Sequence, residues 1–350
     1  MRTTRKRSRL TGLLLFISLL EFVVIVVLLL PSGQTPEEPV KPAAEPLQWV
    51  QARNEPQIMT MSQMAASAYR SDTDAGDPLE TEPEVPEVVE KEKPEGERSA
   101  AEIMADAQVI AHGMGAINGL TTPNCLEGFL IQYNAGVRVF EADLRLTRDV
   151  KNVLRHDWWN ASWQSGIDWV HVPNRDKFVS EKILDKYTPL SFQGLLRLME
   201  AYPDICIITD TKFTESDVFS IQFDSMLADA HELGLTYLFD RIVVQVYSKN
   251  MHTGLDNIYP FPHYIYTLYQ DEFKGTKEAF RERAAYCAKQ GIEGIAMDEY
   301  WWKPDFAAIA DEYGIRVYVH TVNDAAAAKK LLNSGCDGIY SDSLTPGSLS

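Results

Sequence analysis

Glu141 and Asp143 stand two residues apart in Phe140-Glu141-Ala142-Asp143, inside a strand-forming run. Side chains at i and i+2 of a strand share a face, so both carboxylates point to one side. Two anions crowded on a buried sheet repel one another and lose hydration, so either one keeps a proton or a cation sits between them. Carboxylate-only ligation suits a hard ion, Ca²⁺ or Mg²⁺. Asp210, at the end of the next long strand-like run, can supply a third oxygen. Salt bridges to nearby arginines would account for the same carboxylates. His112 and His156 flank the cluster in the chain. Each alone reads as structural; together, around an ion held by carboxylates, they have the makings of an acid and a base at a phosphate.

The elements that must position these groups are short β-branched runs alternating with helical stretches. The strands expected are Gln108–Ala111, Val137–Leu144, Ile205–Thr211, Ile242–Tyr247, Tyr264–Leu268, Gly294–Met297, Arg316–Thr321 and Gly338–Ser341. Between them lie helix-like segments at Asn124–Ala135, Ser191–Ala201, Glu215–Leu233, Lys249–Asn257, Thr276–Gln290, Asp305–Tyr313 and Ala325–Ser334. Alternation of this kind means parallel pairing. Eight strands in about 250 residues fit a (β/α)8 TIM barrel, with an open doubly wound sheet as the alternative. No GxGxxG, P-loop or GxSxG elbow is present. Polar residues close nearly every strand: His112, Glu141 and Asp143, Asp210 and Lys212, Gln245, Asp298, His320, Asp342. In a barrel those ends form the active face. Trp158, Trp159, Trp163 and Trp169 follow His156, and Trp301 and Trp302 lie in another loop. They read equally as a wall that stacks on a polyol or touches lipid and as a satellite core beneath a long insertion. Asn160-Ala161-Ser162 fits a glycosylation sequon.

Charge divides the 350 residues into three materials. Residues 1–10 form a basic tail, expected in the cytoplasm. Residues 11–30 are expected to be a transmembrane anchor: Leu13 to Leu30 is apolar except for Ser18 and Glu21. Eighteen helical residues span about 27 Å, close to a bilayer core. The positive-inside rule then sends the rest of the chain outside the cell. A cleaved signal peptide is the rival, but no small-x-small site follows Leu30 closely. Residues 31–100 hold ten of the eighteen prolines and a net charge of −9, and read as a disordered linker. Residues 101–350 carry −12 and form the folded domain. A total of −17 speaks against a nucleic-acid partner. Four separated cysteines speak against a zinc module or a disulfide scaffold.

Ordered motifs then bring a family into view. Ala111-His112-Gly113, Asn124-Cys125-Leu126-Glu127-Gly128-Phe129, Glu141-x-Asp143-Leu144-x-Leu146-Thr147-x-Asp149 and Arg155-His156-Asp157 resemble, in order and spacing, the glycerophosphodiester phosphodiesterases. Tyr187-Thr188-Pro189-Leu190, Asp210-Thr211-Lys212, Thr321-Val322-Asn323-Asp324 and Gly335-Cys336-Asp337-Gly338-Ile339-Tyr340-Ser341-Asp342 extend the likeness over about residues 107–345. The resemblance implies a metal-dependent phosphodiesterase that releases an alcohol and glycerol phosphate. His112 and His156 would be its acid/base pair, and Glu141, Asp143 and Asp210 its ligands for Ca²⁺ or Mg²⁺. Lys212 would contact the phosphate. A neighbouring hydroxyl of the substrate would attack phosphorus and give a cyclic phosphate that water opens.

Four positions depart from the family pattern. Gly113 replaces an Arg, Pro123 a Glu, Asp210 a Glu and His320 a Trp. They leave the histidines and carboxylates intact and put the headgroup in question, with Lys212, His320 and Trp158 as the candidate substrate contacts. The partner expected is therefore a small-molecule phosphodiester or a lipid headgroup. Lipid cleavage on the same barrel, or a tethered module that binds without turnover, are the alternatives.

Overall fold

The structure is a computed structural model and describes residues 88–159 and 163–350. The expected anchor (11–30), most of the expected linker and the sequon at 160–162 lie outside the described residues. No helix among the described residues is long and apolar enough to cross a membrane.

Eight strands run parallel in a closed ring. They are β1 (Val109–Ala111), β2 (Val139–Leu146), β4 (Cys206–Asp210), β5 (Ile242–Val246), β6 (His263–Thr267), β7 (Gly294–Asp298), β8 (Arg316–His320) and β9 (Gly338–Ser341). Each pairs with its neighbour, and β1 closes the ring between β9 and β2. This is the expected TIM barrel rather than an open sheet. The remaining strand, β3 (Asn152–Leu154), is an antiparallel partner of β2 outside the ring. Three residues are too few to show alternation in sequence, so it escapes a reading by periodicity.

The strands are buried on both faces, as parallel strands under helices must be. Ile110, Val139, Cys206, Ile208, Val243, Ile265, Ala296, Tyr318 and Tyr340 fill the bore. Ala100, Ile103 and Met104 of the short helix α1 (Ala100–Ala105) pack with this interior set. The larger core lies between sheet and helices. The helices are α2 (Leu126–Asn134), α3 (Arg175–Ser180), α4 (Phe192–Ala201), α5 (Ser216–Leu233), α6 (Lys249–Ile258), α7 (Lys277–Gln290), α8 (Asp305–Tyr313), α9 (Ala325–Asn333) and α10 (Pro346–Leu349). Ser191, Ser248, Thr276 and Asp324 each accept a backbone N–H three residues on, starting α4, α6, α7 and α9. All seven expected helices form; α1, α3 and α10 are additional.

Residues 88–99, read from composition as linker, lie against the barrel. Glu90 takes hydrogen bonds from His231 (2.5 Å) and Thr236 (2.7 Å), and Lys91 donates its backbone N–H to Gly234 (2.9 Å). Gly234 has φ +65°, and a Cβ there would sit 2.4 Å from the Val89 carbonyl oxygen, so this approach needs glycine. Glu97 pairs with Arg241, and both are almost fully buried. Arg241 also donates to the carbonyls of Met199 (2.7 Å), Ile205 (2.9 Å) and Tyr202 (3.2 Å). A buried guanidinium stripped of its carboxylate is costly, so Glu97→Ala is expected to destabilise the protein by on the order of 3–5 kcal/mol. Urea denaturation measures this; a loss below about 1 kcal/mol, typical of a surface pair, would contradict it.

Candidate active site

The carboxyl ends of the strands collect the polar groups. Asp143 on β2 pairs in register with Asp210 on β4, so their side chains stand side by side. Glu141 lies two residues back on the same face of β2. Carboxylate oxygens of the three lie within 4.8 Å of one another, all buried. The cation that pairs with them is a lysine rather than an arginine. Lys212 Nζ lies 2.7 Å from Asp143 Oδ1 and also pairs with Asp210. Tyr247 and Tyr269 donate their hydroxyls to Asp210, the latter at 3.1 Å. Glu141 Oε2 accepts the Gly113 N–H at 2.7 Å, while its Oε1 is buried without a hydrogen-bond partner among the described residues.

Charge follows from this crowding. Burial, reinforced by the neighbouring Asp143 charge, pushes the Glu141 carboxyl up to about 8. Burial also opposes ionisation of Asp210, but Lys212 and the tyrosine hydroxyls outweigh it and hold that carboxyl low. Lys212 is buried too, yet its carboxylate partners keep it firmly protonated. An all-oxygen set with one unpartnered buried oxygen fits a hard divalent cation such as Ca²⁺ or Mg²⁺.

His112 follows β1 and presents Nδ1 to Asp342 Oδ1 at 2.8 Å. Burial alone would discharge the imidazole. The bond to Asp342 and the charges of Glu141 and Asp143 prevail and push it up to about 9. Asp342 is itself fixed by Asn323, which donates to its Oδ2 (2.6 Å) and accepts its backbone N–H (2.8 Å). Asn124 does the same for Asp143, donating to Oδ2 at 2.8 Å and accepting the Asp143 N–H at 3.0 Å. His320, at the end of β8, lies edge-on to Tyr269 and Tyr340. Burial lowers it to about 4, and its Nε2 has no partner among the described residues.

His112, Glu141, Asp210, Lys212 and His320, with Gln245, Thr267, Tyr269 and Tyr340, line a cavity of about 250 Å³. Asp143 lies behind them, bound to Lys212. His156 stands beside the cavity rather than in its wall. The Arg155 N–H donates to the Asp143 carbonyl at 3.0 Å, which holds this segment against the end of β2. His156 Nδ1 lies 2.8 Å from Asp157 Oδ2. Trp158 is not brought to the cavity. It packs with Val153, Ile167 and Phe178 in a small satellite core, under the Arg155 guanidinium. A long insertion with one short helix needs such a core to hold its shape. Trp301 and Trp302 pack on the main core, and Trp163 on a third cluster. Trp159 and Trp169 alone of the described tryptophans are exposed, 5.3 Å apart.

Asn124, Asn323, Asp342, Tyr247 and Tyr269 gained no role from the sequence. Asp342 carried a signal, since it closes a strand. The tyrosines carried none, because they lie beyond the ends of different strands and meet only when the ring closes.

Residues 115–345 match the profile of the glycerophosphoryl diester phosphodiesterase family. No curated protein matches the chain. Among solved structures, a candidate glycerophosphoryl diester phosphodiesterase from Silicibacter pomeroyi superposes with a TM-score of 0.59 at 18% identity, over 71% of this chain and 95% of its own. An Oleispira antarctica phosphodiesterase in complex with its product, sn-glycerol-3-phosphate, gives 0.57 at 16% identity, over 70% and 96%. A glycerophosphodiester phosphodiesterase from Parabacteroides distasonis gives 0.53 at 16%, over 67% and 92%. At these identities the structures report a shared fold.

The His112–Asp342 pair is open to direct measurement. The folded His112 value, about 9, lies above the ordinary 6.5. The pair therefore stabilises the fold fully below about pH 6.5 and loses that contribution as pH rises through about 9. With divalent cations chelated, Asp342→Asn is expected to lower the His112 midpoint in an NMR titration and to flatten the loss of stability over that window. A midpoint unmoved by the substitution would show that Asp342 does not hold the proton.

Proposed function

The chain belongs to the glycerophosphoryl diester phosphodiesterase family of phosphoric diester hydrolases, and from that premise we propose that it hydrolyses glycerophosphodiesters to an alcohol and glycerol phosphate. The observation that carries the reading is a protonated histidine, fixed by Asp342, facing a buried three-carboxylate cluster across one small cavity. Glu141, Asp143 and Asp210 would hold a divalent cation, Ca²⁺ or Mg²⁺, which when bound supplies positive charge against the charge that builds on the non-bridging phosphate oxygens.

The side chains divide the proton work. His112 spends Nδ1 on Asp342, leaving Nε2 to donate to the oxygen of the leaving alcohol. His156, anchored beside Asp143 and oriented by Asp157, takes the proton of the substrate's neighbouring hydroxyl. That oxygen bonds to phosphorus as the bond to the leaving oxygen breaks. A cyclic phosphate results, and water opens it with the roles reversed. Lys212 supplies a fixed ammonium beside the phosphate. His320, neutral and with a free Nε2, offers a hydrogen bond to a hydroxyl of the glycerol or headgroup. The product held by the Oleispira relative is of the size and kind this cavity would take. The exposed Trp159 and Trp169 beside His156 favour including lipid alcohols among the substrates to be tested.

Alcohol release from a panel of glycerophosphodiesters and lysophospholipids, with added Ca²⁺, added Mg²⁺ or chelator, tests the proposal. His112→Ala is expected to lose roughly 10²–10⁴-fold in turnover. Glu141→Ala and chelation should each abolish it. Full turnover by His112→Ala would overturn the assignment, and the panel names the headgroup.

Residues 11–30 complete the proposal as a single-pass anchor, supported by their apolar length and the basic residues before them. The catalytic domain is then outside the cell and the N-terminus in the cytoplasm. Protease added to intact cells is expected to digest the domain; protection would reverse the topology.

A further inference from the structure

The position after His112 cannot carry a phosphate-binding side chain. Gly113 has φ +52°, and a Cβ there would lie 2.4 Å from the Thr122 Cα. The turn that returns to Asn124 occupies the space, with Asn124 N–H bonded to the Gly113 carbonyl at 3.0 Å. The other cations of the site are committed. Lys212 is divided between Asp143 and Asp210, and His112 is held by Asp342. A phosphodiester entering this cavity meets more carboxylates than cations.

Arg145 stands where that deficit can be met. It continues the face of β2 that carries Glu141 and Asp143, two residues nearer the carboxyl end, about 6–7 Å along the strand. Its Nε donates to the His156 carbonyl at 2.9 Å. Its guanidinium lies 5.3 Å over the ring of Phe213, the residue after Lys212. It is thus braced between the two segments that carry His156 and Lys212. Among the described residues no carboxylate pairs with it, and Nε makes its only hydrogen bond. In a domain of charge −12, a guanidinium braced two residues beyond Asp143, with no carboxylate partner among the described residues, is a placed charge.

We propose that Arg145 is the phosphate-binding guanidinium of this chain. With Nε spent on the His156 carbonyl and the guanidinium set over Phe213, its Nη edge takes a non-bridging oxygen of the phosphate between His156 and Lys212. The inference rests on the phosphodiesterase reading for its ligand, but binding tests it separately from turnover.

Binding of sn-glycerol-3-phosphate by calorimetry, with kcat and KM for a glycerophosphodiester, is to be compared among the wild type, Arg145→Gln and Arg145→Lys. Removal of the charge is expected to weaken binding and raise KM by roughly ten- to a hundredfold, with a smaller change in kcat. Arg145→Lys keeps the charge but gives up the planar brace, so it should recover most of the binding. Melting temperatures should stay close to wild type. Binding by Arg145→Gln within twofold of the wild type would overturn the proposal. So would Arg145→Lys failing as badly as Arg145→Gln, which marks a bracing role alone, or a wild type that does not bind the phosphate. A wild type that binds through Arg145 yet turns over no diester would support the proposal and count against the hydrolase reading instead.

Discussion

Everything at this barrel's mouth is arranged around carboxylates that bury one another. Glu141, Asp143 and Asp210 crowd within a few ångströms, and Asp342 holds His112 on the neighbouring strand. Like charges so close cannot all be ionised in a low-dielectric site without cations between them. Glu141 therefore drifts toward its neutral form, and Lys212 is drawn in. Three remaining carboxylates against two cations leave the cluster negative, a poor host for an anionic diester. A divalent cation held among the oxygens would reverse that sign. The same electrostatics that make the site costly to fold suit it to a hard cation.

Such a cluster survives only if its members cannot move apart. The barrel supplies this. Register between β2 and β4 puts Asp143 beside Asp210, and the packed bore leaves neither strand room to slide. Asparagine clamps add the finer constraint. Asn124 grips both backbone and side chain of Asp143, and Asn323 does so for Asp342. In each case a neutral amide fixes the direction of a carboxylate without adding charge to a site already short of balance. Far from the mouth, the Glu97–Arg241 pair and its ring of carbonyls tie residues 88–99 to α4 and to the segment before β5.

How much of this was legible follows from which interactions are local. Eight strands and seven helices could be read because burial writes itself as β-branched runs and helical spacing. Glu141 and Asp143 were legible as a pair because strand geometry alone puts them together. Their union with Asp210, Lys212 and His112 depended on ring closure, which the alternation of strand and helix suggested and the family resemblance reinforced. Asn124, Tyr247 and Tyr269 act through contacts between segments distant in the chain, and neutral side chains announce no chemistry. Trp158 shows the opposite error: a residue type suited to a binding wall, one position from Asp157, turned inward because its loop needed a core. Residues 88–99 kept a linker's composition while making a domain's contacts, since ion pairs and one glycine approach hold them rather than apolar burial.

The departures from the family pattern are not independent of one another. At Gly113 the turn through Thr122 lies close against the strand end, where Asn124 donates to Asp143 and the Gly113 N–H to Glu141. Two carboxylates are thus gripped by a backbone N–H and an amide, without an added cation. Neutral donors hold these carboxylates without balancing them, so positive charge must come from elsewhere. Opposite, His320 is smaller than the Trp it replaces, and burial strips its charge. It lies edge-on to Tyr269 and Tyr340 and offers a polar atom without a charge that would compete with Lys212 for Asp210.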